Sequence, residues 1–402
     1  MPFATGNTHP RFWGWVHGTG IPAAVGADMM ASAMNSNCGG RDHGAVEIER
    51  SVIEWLIKLT GLPDSGFGIT TSGTSQATIL AMLVAQQRLF GADVRTKGIR
   101  NMPEVRVYCA EGAHSCVVRA VEVLGHGSDA VRKIPVDGAT GKLDIALLKN
   151  AIAEDRARDL VPLAVVGTAG SVNLGIFDDL EDLGTFCAEE NIFFHVDAAF
   201  GFWILLAHEP YRSLIKGIHL ANSIACDFHK WLGVQYDCGA CLIYDKELMK
   251  STFNTRPSYL ASQAAGIASG DLWFCDYGLE LSRGFRSLKV WASIQAVGLK
   301  AFGETITDNC LQAQLLADLV EKSDYLELAR PVVSNICCFW IKNEEMLPGT
   351  VAATLQLSGV AVFSTTIVDG RECMRAAIVN HRTQQDDIRF AVVEIEKIVA
   401  KK

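Results

Sequence analysis

A lysine set among apolar and aromatic residues is the first chemically unusual feature of the chain. Asp227-Phe228-His229-Lys230-Trp231 follows Ser223-Ile224-Ala225-Cys226 and precedes a Gly-containing turn and the apolar run Ala240-Cys241-Leu242-Ile243-Tyr244. Burying an ammonium is costly unless it loses its proton or is consumed in a bond. Both happen when a lysine forms a Schiff base with an aldehyde cofactor. This segment alone is equally compatible with a lysine that snorkels to solvent beside Trp231.

A second stretch bears on the choice. Phe193-Phe194-His195-Val196-Asp197-Ala198-Ala199 reads as a buried strand that ends in an acid. Open α/β sheets place ligands at such carboxyl ends. An acid there holds a protonated ring nitrogen, as pyridoxal phosphate requires to act as an electron sink. Ala198 and Ala199 leave room for a flat ring. The bland alternative for Asp197 is a helix cap. Gly73, Thr74 and Ser75 open a helical segment whose N-terminal amides suit an anion, and an ordinary capped helix explains them equally.

Together these segments identify a resemblance that covers nearly the whole chain. It resembles the pyridoxal-phosphate-dependent group II amino acid decarboxylases, the family of the aromatic-L-amino-acid, histidine and glutamate enzymes. His9-Pro10-Arg11-Phe12 is similar to the family's opening motif, Thr71-Ser72-Gly73-Thr74-Ser75-Gln76-Ala77 to its phosphate loop, and Ala113-His114-Ser115 to its ring-stacking motif. The segments around Asp197 and Lys230 resemble its pyridine-nitrogen and Schiff-base motifs. Asn380-His381-Arg382-Thr383, with Asp387 beyond, resembles its closing motif.

The resemblance implies decarboxylation of an L-amino acid, aromatic by the overall pattern, to an amine and carbon dioxide. Lys230, His114, Asp197 and His229 are the implied catalytic residues. Thr74, Ser75, His114, Ser171, Asp197, Ala199, Asp227, His229 and Lys230 are the implied cofactor contacts, with Asp227 helping Thr74 and Ser75 at the phosphate. Trp13, Trp15, His17, Arg11 and Arg41 are candidates for the substrate wall. The chain departs from the family in three places. The long N-terminal extension is absent or shortened, the stretch Cys38 to Gly44 is altered, and Gly284 replaces the second of two arginines. The family's mobile lid supplies a tyrosine as proton donor, and a count without gaps from Arg283-Gly284-Phe285-Arg286 puts Phe274 there. Phenylalanine donates no proton, so an aldehyde-forming oxidative reaction is the alternative, with an acidic or other non-aromatic substrate as another. His114, His229 and Tyr277 are the remaining donor candidates; Tyr259 falls in a different motif.

Positioning these residues takes alternating strands and helices, which imply a mostly parallel sheet covered on both faces. The resemblance makes this a fold-type I (aspartate-aminotransferase-like) α/β domain with a seven-stranded sheet, plus a small C-terminal α+β domain. The expected division is a packing segment over 1–25, a large domain over 26–297 and a small one over 298–402. The segment 254–277 reads as a surface loop that the family uses as a lid. A length of 402 residues is enough for two cores. The net charge of −9 offers no basic face to nucleic acid or to an anionic membrane. Twelve scattered cysteines, without a ladder of metal-ligand spacing, point to a reducing cytoplasm and to no metal centre. No run of about eighteen apolar residues is present, so no membrane span is expected. A homodimer with shared active sites is implied by the family.

Overall fold

The computed structural model describes residues 4–255 and 263–400. Eleven strands form two sheets among these residues. They are β1 (Phe67–Thr71), β2 (Val105–Ala110), β3 (Val131–Ile134), β4 (Val161–Thr168), β5 (Phe193–Asp197), β6 (Ser223–Asp227), β7 (Gly239–Ile243), β8 (Leu326–Leu328), β9 (Ile336–Ile341), β10 (Ser364–Val368) and β11 (Arg371–Ala377). The first seven make a sheet of order β1-β7-β6-β5-β4-β2-β3. β2 to β6 run parallel to their neighbours, while β7 runs antiparallel between β6 and β1. β1, β5, β6 and β7 are buried along their whole length, as strands covered on both faces must be. The last four strands form an antiparallel sheet of order β10-β11-β9-β8. The molecule is therefore a large α/β domain with a mostly parallel seven-stranded sheet and a smaller C-terminal α+β domain.

The topology fixes where chemistry can occur. β5 and β6 are adjacent and parallel, with Asp197 opposite Ala225. Their carboxyl ends therefore bring Asp197 and Asp227 to one edge. β7 starts opposite Asp227 at Gly239, which also faces Thr71 at the end of β1. A Cβ at Gly239 would stand 2.6 Å from Asp227 Oδ1 and 2.7 Å from Gly73 Cα. Glycine is required there for the loop after β1 to close onto β6.

The chain's opening and closing motifs form one clasp. Asn380 Nδ2 donates to His9 O (2.8 Å), Thr383 Oγ1 to Pro10 O (2.5 Å) and Trp13 Nε1 to Thr383 Oγ1 (3.2 Å). Arg11 pairs with Asp387 at 3.1 Å. Phe12 bridges to Val362, and Ala377 N–H donates to Trp13 O. Trp13 is thereby buried in the core of the small domain, which removes it and Arg11 from the substrate wall. Arg375 of β11 is buried under the same strap. It donates to the carbonyls of Gly14, Asn173 and Val172 and to Ser364 Oγ.

The expected surface loop is only partly one. Residues 263–272 lie at the surface, but 273–277 are buried, and Phe274–Tyr277 forms a short helical turn. Phe274 is 0% exposed, stacked on Phe67 at 5.8 Å, with the Arg283 guanidinium 5.1 Å from its ring. Phe274, which a gapless count puts at the lid tyrosine's place, is therefore packed in the core rather than on a surface loop. The reason is local: Gly39 O accepts from Cys275 N–H, and Gly40 lies against the Trp273 ring, so the turn is docked on the altered 38–44 stretch. Tyr277 packs on Phe67 at 4.6 Å. Tyr259 lies outside the described residues.

Candidate active site

Lys230 leaves the end of β6 in a tight turn and folds back on it. Its Nζ stands 3.0 Å from Asp227 Oδ2, and its side chain keeps 24% of its surface open. Burial alone pushes this ammonium's pKa down, but the Asp227 and Asp197 carboxylates outweigh it and the net shift is upward. The other oxygen of Asp227 accepts the Thr74 backbone N–H at 2.7 Å. Asp227 therefore ties the lysine to the start of the helix Thr74–Phe90. Asp227 thus holds the loop and the lysine through one oxygen each.

His229 is buried against the same carboxylate, with Nε2 3.6 Å from Asp227 Oδ2. Its Nδ1 accepts the Cys238 N–H at 3.0 Å. Burial lowers its pKa and Lys230 adds to this, while Asp227 opposes it; the net shift is downward. The ring is thus neutral at pH 7, with its proton on Nε2.

Asp197 ends β5 with its two oxygens separately engaged. Oδ1 accepts the Ala199 N–H at 3.1 Å, and Oδ2 accepts from Cys116 Sγ at 3.5 Å. Cys116 also donates its backbone N–H to His114 Nδ1 at 3.2 Å. One residue therefore links the ring-nitrogen acid to the expected stacking histidine, whose own side chain is exposed at the cleft. Sequence reasoning missed Cys116. The available signal was its place two residues after His114, on the helix Cys116–Val123. It also missed Tyr236, whose ring lies 4.4 Å from that of His229.

Ser75 is exposed at the first turn of the phosphate-loop helix, and Ala199 is half-buried beside Asp197. Ser171 Oγ accepts from Ile176 N–H at 3.1 Å within the loop after β4. That residue lines a cleft of about 360 Å³ with Ala113 and Thr168, so it reaches the site's border on the His114 side and is not drawn into the Lys230 cluster by a direct bond. From His229 the rings run through Tyr236 (4.4 Å) to His17 (6.2 Å), which forms a cluster with Phe12 and Trp15 at centroid separations of 5.7–5.9 Å. Arg41 lies over the Trp273 ring at 5.3 Å, away from this line.

The residues fit a flat aldehyde that carries a phosphate. Thr74 Oγ1 is buried and, among the described residues, has no partner. Its helix starts without a side-chain cap, which leaves first-turn amides for an anion. Gly73 lies against the cluster; a Cβ there would stand 3.2 Å from His229 Cε1. An amine, an acid at a sheet edge and an anion-binding helix start thus converge on one cleft.

The pyridoxal-dependent decarboxylase conserved domain matches residues 1–342. The aromatic-L-amino-acid decarboxylase of Bacillus atrophaeus is 30% identical over 400 residues, which span 97% of this chain and 81% of that protein. The L-2,4-diaminobutyrate decarboxylase of Rhizobium meliloti is 28% identical, over 94% of this chain and 75% of that protein. Among solved structures, Oryza sativa TDC with PLP and tryptamine superposes with a TM-score of 0.91 at 25% identity, covering all of this chain and 85% of that one. The chain belongs to the pyridoxal-dependent decarboxylase family, and is a pyridoxal-phosphate-dependent amino acid decarboxylase.

Proposed function

We propose that Lys230 carries the cofactor and that the chain decarboxylates an aromatic L-amino acid to its amine. The observation that carries the first part is the convergence of Lys230, Asp227 and Asp197 at the carboxyl ends of β5 and β6. The line of rings from Trp15 to His229 supports the second, as does the likeness to the B. atrophaeus enzyme.

When bound, pyridoxal phosphate supplies an aldehyde for the lysine and a protonated pyridine that accepts the electron pair left by carbon dioxide. The chain's own residues do the rest. Lys230 Nζ is the nucleophile, and Asp227 balances its charge. Asp197 holds the proton of the ring nitrogen. His114 and Ala199 would flank the ring when it is bound. Thr74, Ser75 and the helix start hold the phosphate, and the Ser171 hydroxyl borders the ring. His229, neutral and fixed by Cys238, orients the substrate side of the lysine. Nothing in the core position of Phe274 favours an aldehyde product.

The test is product analysis. The purified protein, loaded with pyridoxal phosphate, meets aromatic, acidic, basic and small L-amino acids in air, and carbon dioxide, amine, aldehyde and peroxide are counted. Carbon dioxide matched by an aromatic amine is the expected result. Turnover restricted to non-aromatic substrates would reject the aromatic assignment.

We also propose a homodimer with shared sites. Met29, Met30 and Met34 are 70%, 62% and 54% exposed on the helix Pro22–Met34. Met30, Met34 and Ile267 line a largely apolar cleft of about 560 Å³ with Phe285 and Leu288. A partner would remove this face from water, and light scattering reads the mass directly. Twelve buried free thiols support a reducing, cytoplasmic setting. No described helix is long and apolar enough to cross a membrane. The proposed boundary between the large and small domains falls at Gly298, whose φ of 82° separates the helices Ser287–Val297 and Leu299–Glu321.

A further inference from the structure

We propose that Tyr236 is the acid that returns a proton to the substrate's Cα, supplied by the same chain that carries Lys230; this rests on Lys230 as the cofactor-bearing residue. Tyr236 lies in the turn between β6 and β7. Its ring is 4.4 Å from that of His229, tilted by 32°, and 6.2 Å from that of His17, edge-on at 81°. The turn is pinned on both sides, by Val234 N–H to Phe228 O (3.1 Å) and Cys238 N–H to His229 Nδ1 (3.0 Å). The phenol is thus held over the residue that precedes the lysine, within reach of the Lys230 and Asp227 charges.

The N-terminal strap passes beside the phenol, and the Gly18 main chain favours negative charge on its oxygen. A Cβ at position 18 would stand 2.1 Å from His229 O, so only glycine lets the strap pass this close. Asn7 Nδ2 fixes the same peptide through Gly18 O at 2.6 Å. A neutral phenol carries an O–H that it can donate. Burial raises the phenol's pKa, so the proton is present at neutral pH. Half of the residue's surface (50%) is open to water, which provides the route for reloading.

The neighbouring groups are less suited. His17 and His229 both have lowered pKa values from burial, with Lys230 adding to the shift, so neither is an imidazolium at pH 7. The single proton of His229 is on the side of Asp227. Tyr277 is buried on Phe67. In the proposed step the Cα–carboxylate bond breaks and carbon dioxide leaves. The electron pair left behind takes the Tyr236 proton to form a C–H bond, and the phenolate takes a proton from water. A general acid of this kind contributes about 10²- to 10⁴-fold.

The test uses the holoenzyme and Y236F, which keeps the ring on His229 and removes only the hydroxyl. Absorbance titration of the cofactor-free protein should give a pyridoxal phosphate affinity within about twofold of the wild type. Amine formation should fall roughly 100-fold or more. In a single turnover, carbon dioxide should be released well ahead of amine. A loss below about tenfold, or an affinity that falls in step with activity, overturns the proposal. A wild-type chain that releases no carbon dioxide overturns the Lys230 reading and the proposal with it, whereas normal amine formation by Y236F overturns the proposal alone.

Discussion

Arg283 and Glu49 meet at 2.6 Å with both side chains fully enclosed; Lys230 and Asp227 meet at 3.0 Å with the lysine open to a cleft. The first pair is enclosed by fixed neighbours. Arg283 also donates to Thr70 O, Thr70 Oγ1 and Cys38 O, and Glu49 Oε1 takes three donors at once. It ties the 38–44 stretch, β1 and the segment after residue 282 into one strut. The second cluster has a movable cation, an uncapped helix start and a buried hydroxyl without a described partner. Buried charge closed by its own neighbours holds a fold together. Buried charge that keeps an open side is ready for a ligand. Burial and pairing alone do not separate structure from function; a side open to the cleft does.

Mutation should divide the two clusters most clearly at Lys230. K230A should abolish decarboxylation, a loss of at least about 10³-fold, worth more than 4 kcal/mol of barrier. Its thermal midpoint should fall less than that of E49Q, because Lys230 keeps part of its side chain in the cleft whereas Arg283 keeps none. Borohydride reduction followed by peptide mapping should find pyridoxyl label on Lys230 in the wild type and none in the variant. E49Q should invert this pattern. It leaves Arg283 buried without its counter-charge, at a cost of about 3–5 kcal/mol of unfolding free energy. Denaturant titration reads that cost, and the folded fraction should retain its turnover.

A third probe concerns a buried group that stays neutral. His195, two residues before Asp197, shares 2.8 Å with Ser223 Oγ and is pushed by burial down to about 4. The unfolded chain, with an ordinary histidine near 6.5, binds more protons between these values. The stability this histidine contributes is complete above pH 6.5 and is lost as pH falls towards 4, by an amount on the order of 3 kcal/mol. Thermal midpoints measured across that window should fall, and H195Q should flatten the slope. The smallest expected effect is at Cys116. C116A removes a weak donor from Asp197 and should cost about 1 kcal/mol, seen as a roughly fivefold loss of pyridoxal phosphate affinity with little change in melting. An unchanged affinity would place Cys116 with the strut-like contacts.

The sheet was legible because inner parallel strands read as apolar runs, as Leu163 to Gly167 and Phe193 to Val196 do. Asp197 and Lys230 were legible because polar residues at the ends of such runs have few structural reasons to be there. β8 and β10 were missed: β8 has three residues, and β10 is only half-buried, so neither leaves an apolar signature. The stretch 273–277 was read as surface loop because its composition carries no core period, whereas it docks inward on Gly39 and Gly40. Tyr236 and Cys116 were overlooked because their roles depend on contacts across the fold that no local pattern encodes. Arg11 looked like a free cation until the clasp brought Asp387 to it from 376 residues away.

Arg375 has a consequence for how this protein tolerates change. Its guanidinium is satisfied chiefly by the main chain, at Gly14, Val172 and Asn173. Every amino acid offers the same carbonyl, so Val172 and Asn173 can drift without loss of the bond. Lysine cannot span that many acceptors, so position 375 has no such freedom. A saturation scan should therefore record asymmetric tolerance, with one invariant position facing permissive ones. An ion pair such as Arg283 with Glu49 would instead leave a trace of paired substitutions.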